Sequence, residues 1–237
     1  MKLLTVDNAK TSKGESLGFL TGILYLAPAF VADPLRTVCP HAKACADVCL
    51  NLSGRGAFDA TQEARIRKTR EFWADPKAFV EELANDVDAL VRKAERDGLV
   101  PCVRLNGTSD LPWESLGGQA GVCLMRRFPS LQWYDYTKNP ARIRAWLAGR
   151  MPANYHLTFS RAENNGELAA EFIAAGASVA CVFSTKKGET LPKRYLGKSV
   201  ADGDAHDLRF LDKPGSVVGL RAKGPAKKDT SGFVIHV

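Results

Sequence analysis

Three cysteines within eleven residues are the first feature of this sequence that could support chemistry. Cys39, Cys45 and Cys49 lie in the run CPHAKACADVC. An odd number of thiols cannot pair off completely as disulfides, whereas three thiolates can converge on one metal centre. The spacing therefore predicts a loop that binds a metal through these three cysteines. Because Cys45 and Cys49 are four residues apart, one helical turn would place both on one face.

The number of ligands separates the metals that this loop could hold. A structural zinc site needs a fourth ligand, and His41 is the nearest candidate in the sequence. A 4Fe–4S cluster accepts three cysteines and leaves one iron open to another ligand or to substrate. We therefore expect a 4Fe–4S cluster. A zinc site is the alternative, and cysteines that are redox-active without any metal are a third interpretation.

An acidic run near the C-terminal end, DGDAHD, is a second group of candidate ligands. It contains Asp202, Asp204, His206 and Asp207. Carboxylates and a neutral imidazole can bind a divalent cation, and His206 is a candidate fourth ligand for the cluster. The alternative interpretation is a turn at Asp202 and Gly203 whose neighbours are simply solvated.

The elements that would position these groups follow from hydrophobic periodicity. An apolar run at 19–26 predicts a strand directly before the cysteine loop, and two helices follow at 58–74 and 76–96. Asp75 is a good N-cap and Gly98 a good stop signal for the second helix. Further strands are predicted at 101–105, 131–136, 155–159, 178–183, 216–222 and 232–237, and further helices at 114–127, 140–148 and 166–175.

This alternation predicts a single α/β domain over residues 1–237. Continuous apolar strands between helices are typical of a parallel sheet. Two architectures fit, an open doubly wound sheet and a full or partial (β/α) barrel. We expect the barrel, because polar residues follow every strand, and in barrels the loops at the carboxyl ends of the strands converge on one site.

Polar residues at these strand ends are the predicted substrate-binding groups. Arg104 lies in an otherwise apolar strand, and a buried arginine needs an acidic partner. Asp110, Asp135 and Glu163 are the candidates for that partner, and a purely structural ion pair is the alternative. The full predicted set is Arg104, Asn106, Ser109, Asp110, Asp135, Lys138, Ser160, Arg161, Glu163 and Asp204.

Composition and charge limit the partners of the chain. Of 237 residues 45% are hydrophobic, and 33 Lys and Arg against 26 Asp and Glu give a net charge of +7. No apolar run is long enough to span a membrane and no signal peptide is evident, so we expect a cytoplasmic protein without membrane contact. The basic run from Arg65 to Arg70 suggests an alternative function, which is nucleic-acid binding by a protein whose cluster or zinc is structural.

Several motifs together resemble a family of phage proteins known as gene product eighty-eight. The resemblance covers nearly the whole chain and implies a phage or prophage origin, with the host cytoplasm as the location. The motifs are residues 8–13 (NAKTSK), the cysteine loop with 54–56 (GRG), 104–110 (RLNGTSD), 134–138 (YDYTK), 155–161 (YHLTFSR) and 202–207 (DGDAHD).

A three-cysteine loop after the first strand of a (β/α) barrel also resembles, more distantly, the radical S-adenosylmethionine enzymes. Here five and three residues separate the cysteines, where that family usually has three and two. The resemblance implies S-adenosylmethionine as a second cofactor. It also implies redox or radical chemistry on a polar or nucleotide-derived substrate.

Overall fold

A mostly parallel β-sheet with helices packed on it forms the architecture of the chain. The structure is a computed structural model that describes residues 2–8, 10–116 and 123–237. Among these residues, no helix has both the length and the apolar character that crossing a membrane requires. The ten strands of the sheet are β1 Leu4–Thr5, β2 Phe19–Leu24, β3 Val100–Arg104, β4 Gln132–Thr137, β5 Tyr155–Ser160, β6 Val179–Phe183, β7 Arg194–Tyr195, β8 Lys198–Asp202, β9 Val217–Arg221 and β10 Val234–Ile235.

The strand order is β1-β2-β3-β4-β5-β6-β9-β8-β7, and β10 pairs with β6 off this path. The strands from β2 to β6, and then β9 and β8, are parallel, whereas β1 and β7 each join antiparallel. Within the described residues the order has two ends, and no pairing joins them. The predicted full or partial barrel is therefore not confirmed. The order follows the chain from β1 to β6 and then runs backwards through β9, β8 and β7.

The helices of the described residues are α1 Thr11–Glu15, α2 Asp59–Ala74, α3 Pro76–Asp97, α4 Leu124–Arg127, α5 Pro140–Leu147 and α6 Gly166–Ala174. Sequential parallel strands with right-handed crossovers place their connecting helices on one side of a sheet. Accordingly α3, α5 and α6 pack on one side, which we call the helix face. The main hydrophobic core lies between them and the sheet.

Helix α3 shows how the local sequence builds this face. The Asp75 carboxylate accepts a hydrogen bond from Ala78 N at 2.9 Å, and Pro76 occupies the first turn, where its missing N–H costs nothing. Phe79, Leu83 and Leu90 are buried on its inward stripe. Its end lies at Gly98, which adopts a left-handed conformation with φ of 67°.

The opposite side of the sheet carries polar and aromatic side chains, and we call it the polar face. Cys102 and Tyr134 form a small buried cluster there with Leu208. Helix α1 and residues 203–212 cover this face. A methyl group on Gly14 of α1 would lie 3.1 Å from Thr21 Oγ1 on β2, so this helix needs glycine for its close approach.

Strand β10 lies at the carboxyl edge of the sheet, beside the end of β6. Strand β5 pairs with the first half of β6, through Val179 and Ala180, whereas β10 pairs with Val182 and Phe183 at the end of β6. Since β9 pairs along the other side of β6, β10 lies where β5 and β6 diverge. The C-terminal segment therefore reaches the edge at which the strand-end loops meet.

Apart from the helix predicted at 114–127, the predicted strands and helices end within two residues of the observed ones. The sequence did not predict β1, β7, β8 or α1. Of the helix predicted at 114–127, residues 117–122 lie outside the described residues, and among the described ones Leu124–Arg127 form α4.

Candidate functional site

The cysteine loop is built from tight turns rather than from an α-helix. Cys45 lies in the 3-10 turn Ala44–Ala46, and Cys49 has extended backbone with φ of −58° and ψ of 143°. The expectation that Cys45 and Cys49 share one α-helical face is therefore wrong. Cys49 instead caps the next 3-10 turn, where its sulfur accepts a hydrogen bond from Asn51 N at 3.5 Å.

Strand-end loops anchor the cysteine loop at the carboxyl edge of the sheet. Asp110 N donates to Val38 O at 2.9 Å, and the Cys39 thiol donates to Thr108 O at 3.5 Å. Ala44 N donates to the Glu163 carboxylate, which follows β5, at 3.3 Å. The other oxygen of that carboxylate is buried and has no hydrogen-bond partner in the described residues. The loop thus spans the ends of β3 and β5.

The three cysteines lie near the Lys138 ammonium, and Cys49 also lies near Arg65. Burial lowers the pKa of Lys138, but the Asp110 carboxylate and the negative charge of thiolates at Cys45, Cys39 and Cys49 raise it overall. Burial raises the pKa of Cys39 to about 12 and also raises that of Cys49. Without a bound group these two cysteines are therefore neutral thiols at neutral pH.

The predicted metal ligands do not form a complete site by themselves. Among the described residues, no group of three or more His, Cys, Asp or Glu side chains is close enough to hold a metal ion. His206 lies on the polar face instead, with Nδ1 3.2 Å from Arg209 Nη2 and Nε2 3.9 Å from Asp212. Burial and the Arg209 charge lower its pKa. Metal binding by the loop, and His206 as a ligand, stay predictions.

The donor set nevertheless fits a thiolate-bound group. All three cysteines are free and partly buried, and three soft sulfur donors are what iron–sulfur clusters and zinc take. Bound metal favours the deprotonated thiolate, which overcomes the raised pKa of Cys39 and Cys49. The Lys138 ammonium would balance part of the resulting negative charge.

Asn106 and Asp135 are hydrogen-bonded within the protein rather than open to a ligand. Asp135 accepts from Asn106 N at 2.7 Å and from the Tyr155 hydroxyl at 2.8 Å. The Asn106 side-chain oxygen accepts from Ser109 Oγ at 2.8 Å and from Trp113 Nε1 at 3.2 Å. Burial raises the pKa of Asp135 to about 7. These contacts lie on the helix face of the sheet and hold the loop after β3.

Asp110 extends this arrangement to Arg142 of α5. Its carboxylate accepts from Thr137 Oγ1 at 2.7 Å and from Arg142 Nη1 at 3.0 Å. Arg142 also makes two hydrogen bonds of 2.8 Å to Glu114 and one of 2.7 Å to the Tyr155 hydroxyl. We call the connected residues the anchor network; its members are Asn106, Ser109, Asp110, Trp113, Glu114, Asp135, Thr137, Arg142 and Tyr155.

Arg104 is buried as the sequence predicted, but its partner is Asp207. Arg104 Nη1 lies 2.7 Å from Asp207 Oδ2, and the guanidinium stacks over the Tyr136 ring with its carbon 4.5 Å from the ring centre. The candidates Asp110 and Asp135 are engaged in the anchor network, and Glu163 binds the cysteine loop. The expectation that one of those three pairs with Arg104 is therefore wrong.

Two further cations lie near Asp207. Lys10 Nζ is 3.9 Å from its carboxylate, and Arg209 is close enough to lower its pKa. Together with Arg104 these charges hold the pKa of Asp207 at about 2. We call Lys10, Arg104, Asp207 and Arg209 the cation cluster. It lies on the polar face, under residues 203–212.

Asp204 belongs to a surface ion-pair group. Its carboxylate accepts from Arg221 N at 3.0 Å and pairs with Lys223 at 2.6 Å, while Asp202 pairs with Arg221 at 2.9 Å. These contacts join β8 to β9. They support the structural interpretation of the acidic run for Asp202 and Asp204.

Ser160 and Arg161 hold the edge where β5 and β6 diverge. The Ser160 carbonyl accepts from Asn165 Nδ2 at 3.1 Å, and Arg161 Nη1 donates to the carbonyls of Gly232 and Phe233, the latter at 3.1 Å. Arg161 Nε is buried and has no hydrogen-bond partner within the described residues. The Arg161 side chain therefore fixes the C-terminal segment beside the cysteine loop, whereas Ser160 contacts Asn165 through its backbone carbonyl.

The basic run that suggested nucleic-acid binding is largely engaged within the protein. Arg65 is buried and donates to Asn51 Oδ1, Lys68 donates to Leu3 O at 2.8 Å, and Arg70 donates to Ala32 O at 3.3 Å. Arg67 pairs with Glu71 of the same helix. Of the four basic residues, Arg65 is buried and Lys68 is half-buried, whereas Arg67 and Arg70 are exposed.

The sequence did not identify Lys10 and Arg209 as site residues, nor the anchoring role of Arg142 and Tyr155. One available signal was strand alternation: Tyr134, Tyr136, His156 and Thr158 occupy alternate positions of β4 and β5, so both strands present polar side chains on one face. That alternation indicates a polar face of the sheet, and polar side chains buried on it need hydrogen-bond partners or counter-charges from a covering segment such as the one that contains Arg209.

The chain belongs to the gene product 88 family, whose family model matches residues 2–237. No curated protein and no solved structure matches it. The phage-protein resemblance is thereby confirmed, while nothing in these comparisons bears on the resemblance to radical S-adenosylmethionine enzymes.

Proposed function

We propose that the chain holds a 4Fe–4S cluster through Cys39, Cys45 and Cys49 and acts on a polar or nucleotide-derived small molecule. What supports this proposal is the presence of three free, half-buried cysteines in one loop, together with Lys138, on whose pKa all three act. The loop lies at the carboxyl ends of parallel strands, where α/β proteins commonly bind their ligands.

The protonation state of the thiols favours a bound group over free reactive cysteines. A nucleophilic or redox-active cysteine needs a lowered pKa, so that the thiolate is populated. Here burial raises the pKa of Cys39 and Cys49 instead. Metal-independent cysteine chemistry is therefore the weaker proposal.

When bound, a cluster of this type supplies one-electron transfer or an open iron for a substrate atom. The chain's own residues supply the surroundings. Lys138 offsets thiolate charge, and Glu163, whose second carboxylate oxygen has no partner within the described residues, lies against the loop at Ala44. Val48 packs with Ala222 and Val234 of the C-terminal segment, which limits water on that side of the loop.

Anaerobic reconstitution tests the proposal. We expect iron and sulfide to load in amounts that match one cluster, with a broad absorption band near about 400 nm. Cys39→Ser, Cys45→Ser and Cys49→Ser should each lose most of the band. Cys123→Ser, a half-buried cysteine outside the loop, is the matched control and should load like the wild type.

Two results would contradict the proposal. If the anaerobically purified protein contains equimolar zinc and neither iron nor sulfide, the loop is a structural zinc site and not a cluster site. If the protein binds no metal under any of these conditions, the proposal of a metal site in the cysteine loop is wrong. Electron paramagnetic resonance with and without S-adenosylmethionine then tests whether that second cofactor perturbs the cluster.

The nucleic-acid-binding alternative has less support. Arg65, Lys68 and Arg70 contact the protein itself, and Arg221 and Lys223 pair with Asp202 and Asp204. Salt-dependent binding of DNA or RNA would restore it, because counterion release makes such affinity fall steeply with salt.

A further inference from the structure

The cation cluster contains more positive than negative charge in a buried place. Lys10, Arg104 and Arg209 share the Asp207 carboxylate, and Arg209 also pairs with Asp212 at 3.0 Å. Three cations thus face two carboxylates. Lys223, the other cation near Lys10, is already paired with Asp204 at 2.6 Å and does not alter this balance.

The effect of the surplus is visible at Lys10. Burial and the neighbouring charge of Arg104 lower its pKa to about 8, although Asp207 acts in the opposite direction. Its side chain remains 35% exposed, whereas Arg104 and Arg209 are 5% and 0% exposed as residues. Lys10 therefore forms the side of the cluster that a ligand can reach.

The two arginines also keep hydrogen-bond donors without acceptors. Arg104 Nε and Arg209 Nε are buried and have no hydrogen-bond partner in the part of the chain that the structure describes. Arg209 Nη1 is paired with the Asp212 carboxylate at 3.0 Å. Buried donors on cations are rarely left unpaired in native proteins.

Ordered water could accept from these donors, but water is neutral and would leave the surplus charge unbalanced. A carboxylate or phosphate group satisfies both requirements, because its oxygens accept charge-assisted hydrogen bonds and its charge balances the third cation. An oxyanion is therefore the ligand chemistry that these residues select.

We infer that the cation cluster binds the oxyanion of a small-molecule ligand, with Lys10 and Arg104 as the contacting residues. The inference deepens the proposed function, since it assigns an acidic group to the polar substrate. Residues 203–212 and helix α1 would cover the bound group. It depends on different side chains from those of the cysteine loop.

Binding of two simple probes to the metal-free full-length chain tests the inference. Inorganic phosphate and acetate are compared with chloride at equal ionic strength, by calorimetric titration and by thermal unfolding. We expect one of the two oxyanions to bind and to raise the melting temperature above that in chloride. The probe that binds more tightly identifies the class as phosphate or carboxylate.

Lys10→Met removes the accessible cation without emptying a buried site, and should weaken oxyanion binding by about tenfold or more. Lys77→Met is the matched control, because Lys77 is exposed on α3 and the substitution changes the net charge equally. It should bind the oxyanion as the wild type does.

Equal stabilisation by chloride and both oxyanions would overturn the inference, and so would wild-type affinity in Lys10→Met. Because the protein contains no metal in this experiment, the oxyanion-binding result can be interpreted even if cluster loading fails. Conversely, loss of oxyanion binding does not affect the reconstitution test of the cysteine loop.

Discussion

Arg142 and Arg104 are buried to nearly the same extent, 4% and 5% exposed, yet their surroundings differ. In the anchor network every nitrogen of the Arg142 guanidinium has a hydrogen-bond acceptor, provided by Glu114, Asp110 and Tyr155. In the cation cluster Arg104 and Arg209 each keep Nε without a hydrogen-bond partner within the described residues.

The two regions also lie on opposite sides of the same strands. The anchor network uses the helix face, where Asp135 of β4 meets Tyr155 of β5. The cation cluster uses the polar face, where Tyr136 lies under Arg104. A polar group that the protein has already paired contributes to architecture, whereas one left unpaired is available to a ligand. The comparison therefore divides the predicted substrate-binding residues into those of the anchor network, which hold the fold together, and Arg104 of the cation cluster, which is available to a ligand.

The largest effect should come from breaking the anchor network at Arg142. Arg142→Met leaves the buried carboxylates of Asp110 and Glu114 without their cation, and we expect a loss of about 3–5 kcal/mol of unfolding free energy. Urea denaturation measures it. Arg144→Met on the same helix removes an ion pair whose side chains are 52% exposed, so its cost should stay below about 1 kcal/mol. Equal losses in both variants would refute the distinction.

The pH dependence of stability should reveal Asp135. Its pKa is about 7 in the folded protein and near 3.8 when unfolded, so between these values the folded state holds a proton that the unfolded state releases. Its contribution to stability is therefore complete below about pH 4 and is lost as the pH rises to about 7, by up to about 4 kcal/mol.

Asp135→Asn cannot titrate and should lack this trend. Urea denaturation of both proteins at several pH values from 4 to 8 gives the difference directly. A difference between wild type and variant that does not change with pH would show that Asp135 ionises freely in the folded protein.

A matched pair of tyrosines sharpens the comparison further. The Tyr155 hydroxyl contacts Asp135 at 2.8 Å and Arg142 at 2.7 Å. Tyr155→Phe leaves both partners short of a hydrogen bond in a buried place, and we expect a loss of about 1–3 kcal/mol in urea denaturation. A loss below about 0.5 kcal/mol would mean that the network does not depend on this hydroxyl.

The smallest effect is expected at Tyr134. Its hydroxyl is buried on the polar face and has no hydrogen-bond partner among the residues that the structure describes. Tyr134→Phe removes a group that folding left unpaired, so the stability of the ligand-free protein should change by less than about 0.5 kcal/mol or rise slightly. A clear destabilisation in the same assay would show that the hydroxyl is paired after all, and the contrast with Tyr155 would fail.

Much of the fold was predictable because local signals agree with tertiary packing. The Asp75 cap, the apolar stripe of α3 and the stop at Gly98 all appear as expected. Which strands form the two edges of the sheet was not predictable, because the edge strands β1 and β7 contain two residues each and carry no periodic signal. Polar strand ends predicted a barrel, but several of them hold the loops together instead.

The candidate site was predictable in its residue types and not in its pairings. The sequence indicated that Arg104 is buried and needs an acidic partner, but Asp207, which lies 103 residues away, was not among the candidates. Likewise, the spacing of Cys45 and Cys49 indicated a helical turn, whereas the loop uses 3-10 turns on either side of extended backbone at Cys49.

The sequence by itself determined the alternation of strands and helices, the family of the chain and the concentration of three thiols in one loop, since each depends on residues near one another in the chain. Only the tertiary structure decided which polar side chains are paired and which remain open. That outcome depends on which side of the sheet each side chain occupies and on which distant segment covers it, and neither is encoded in local spacing.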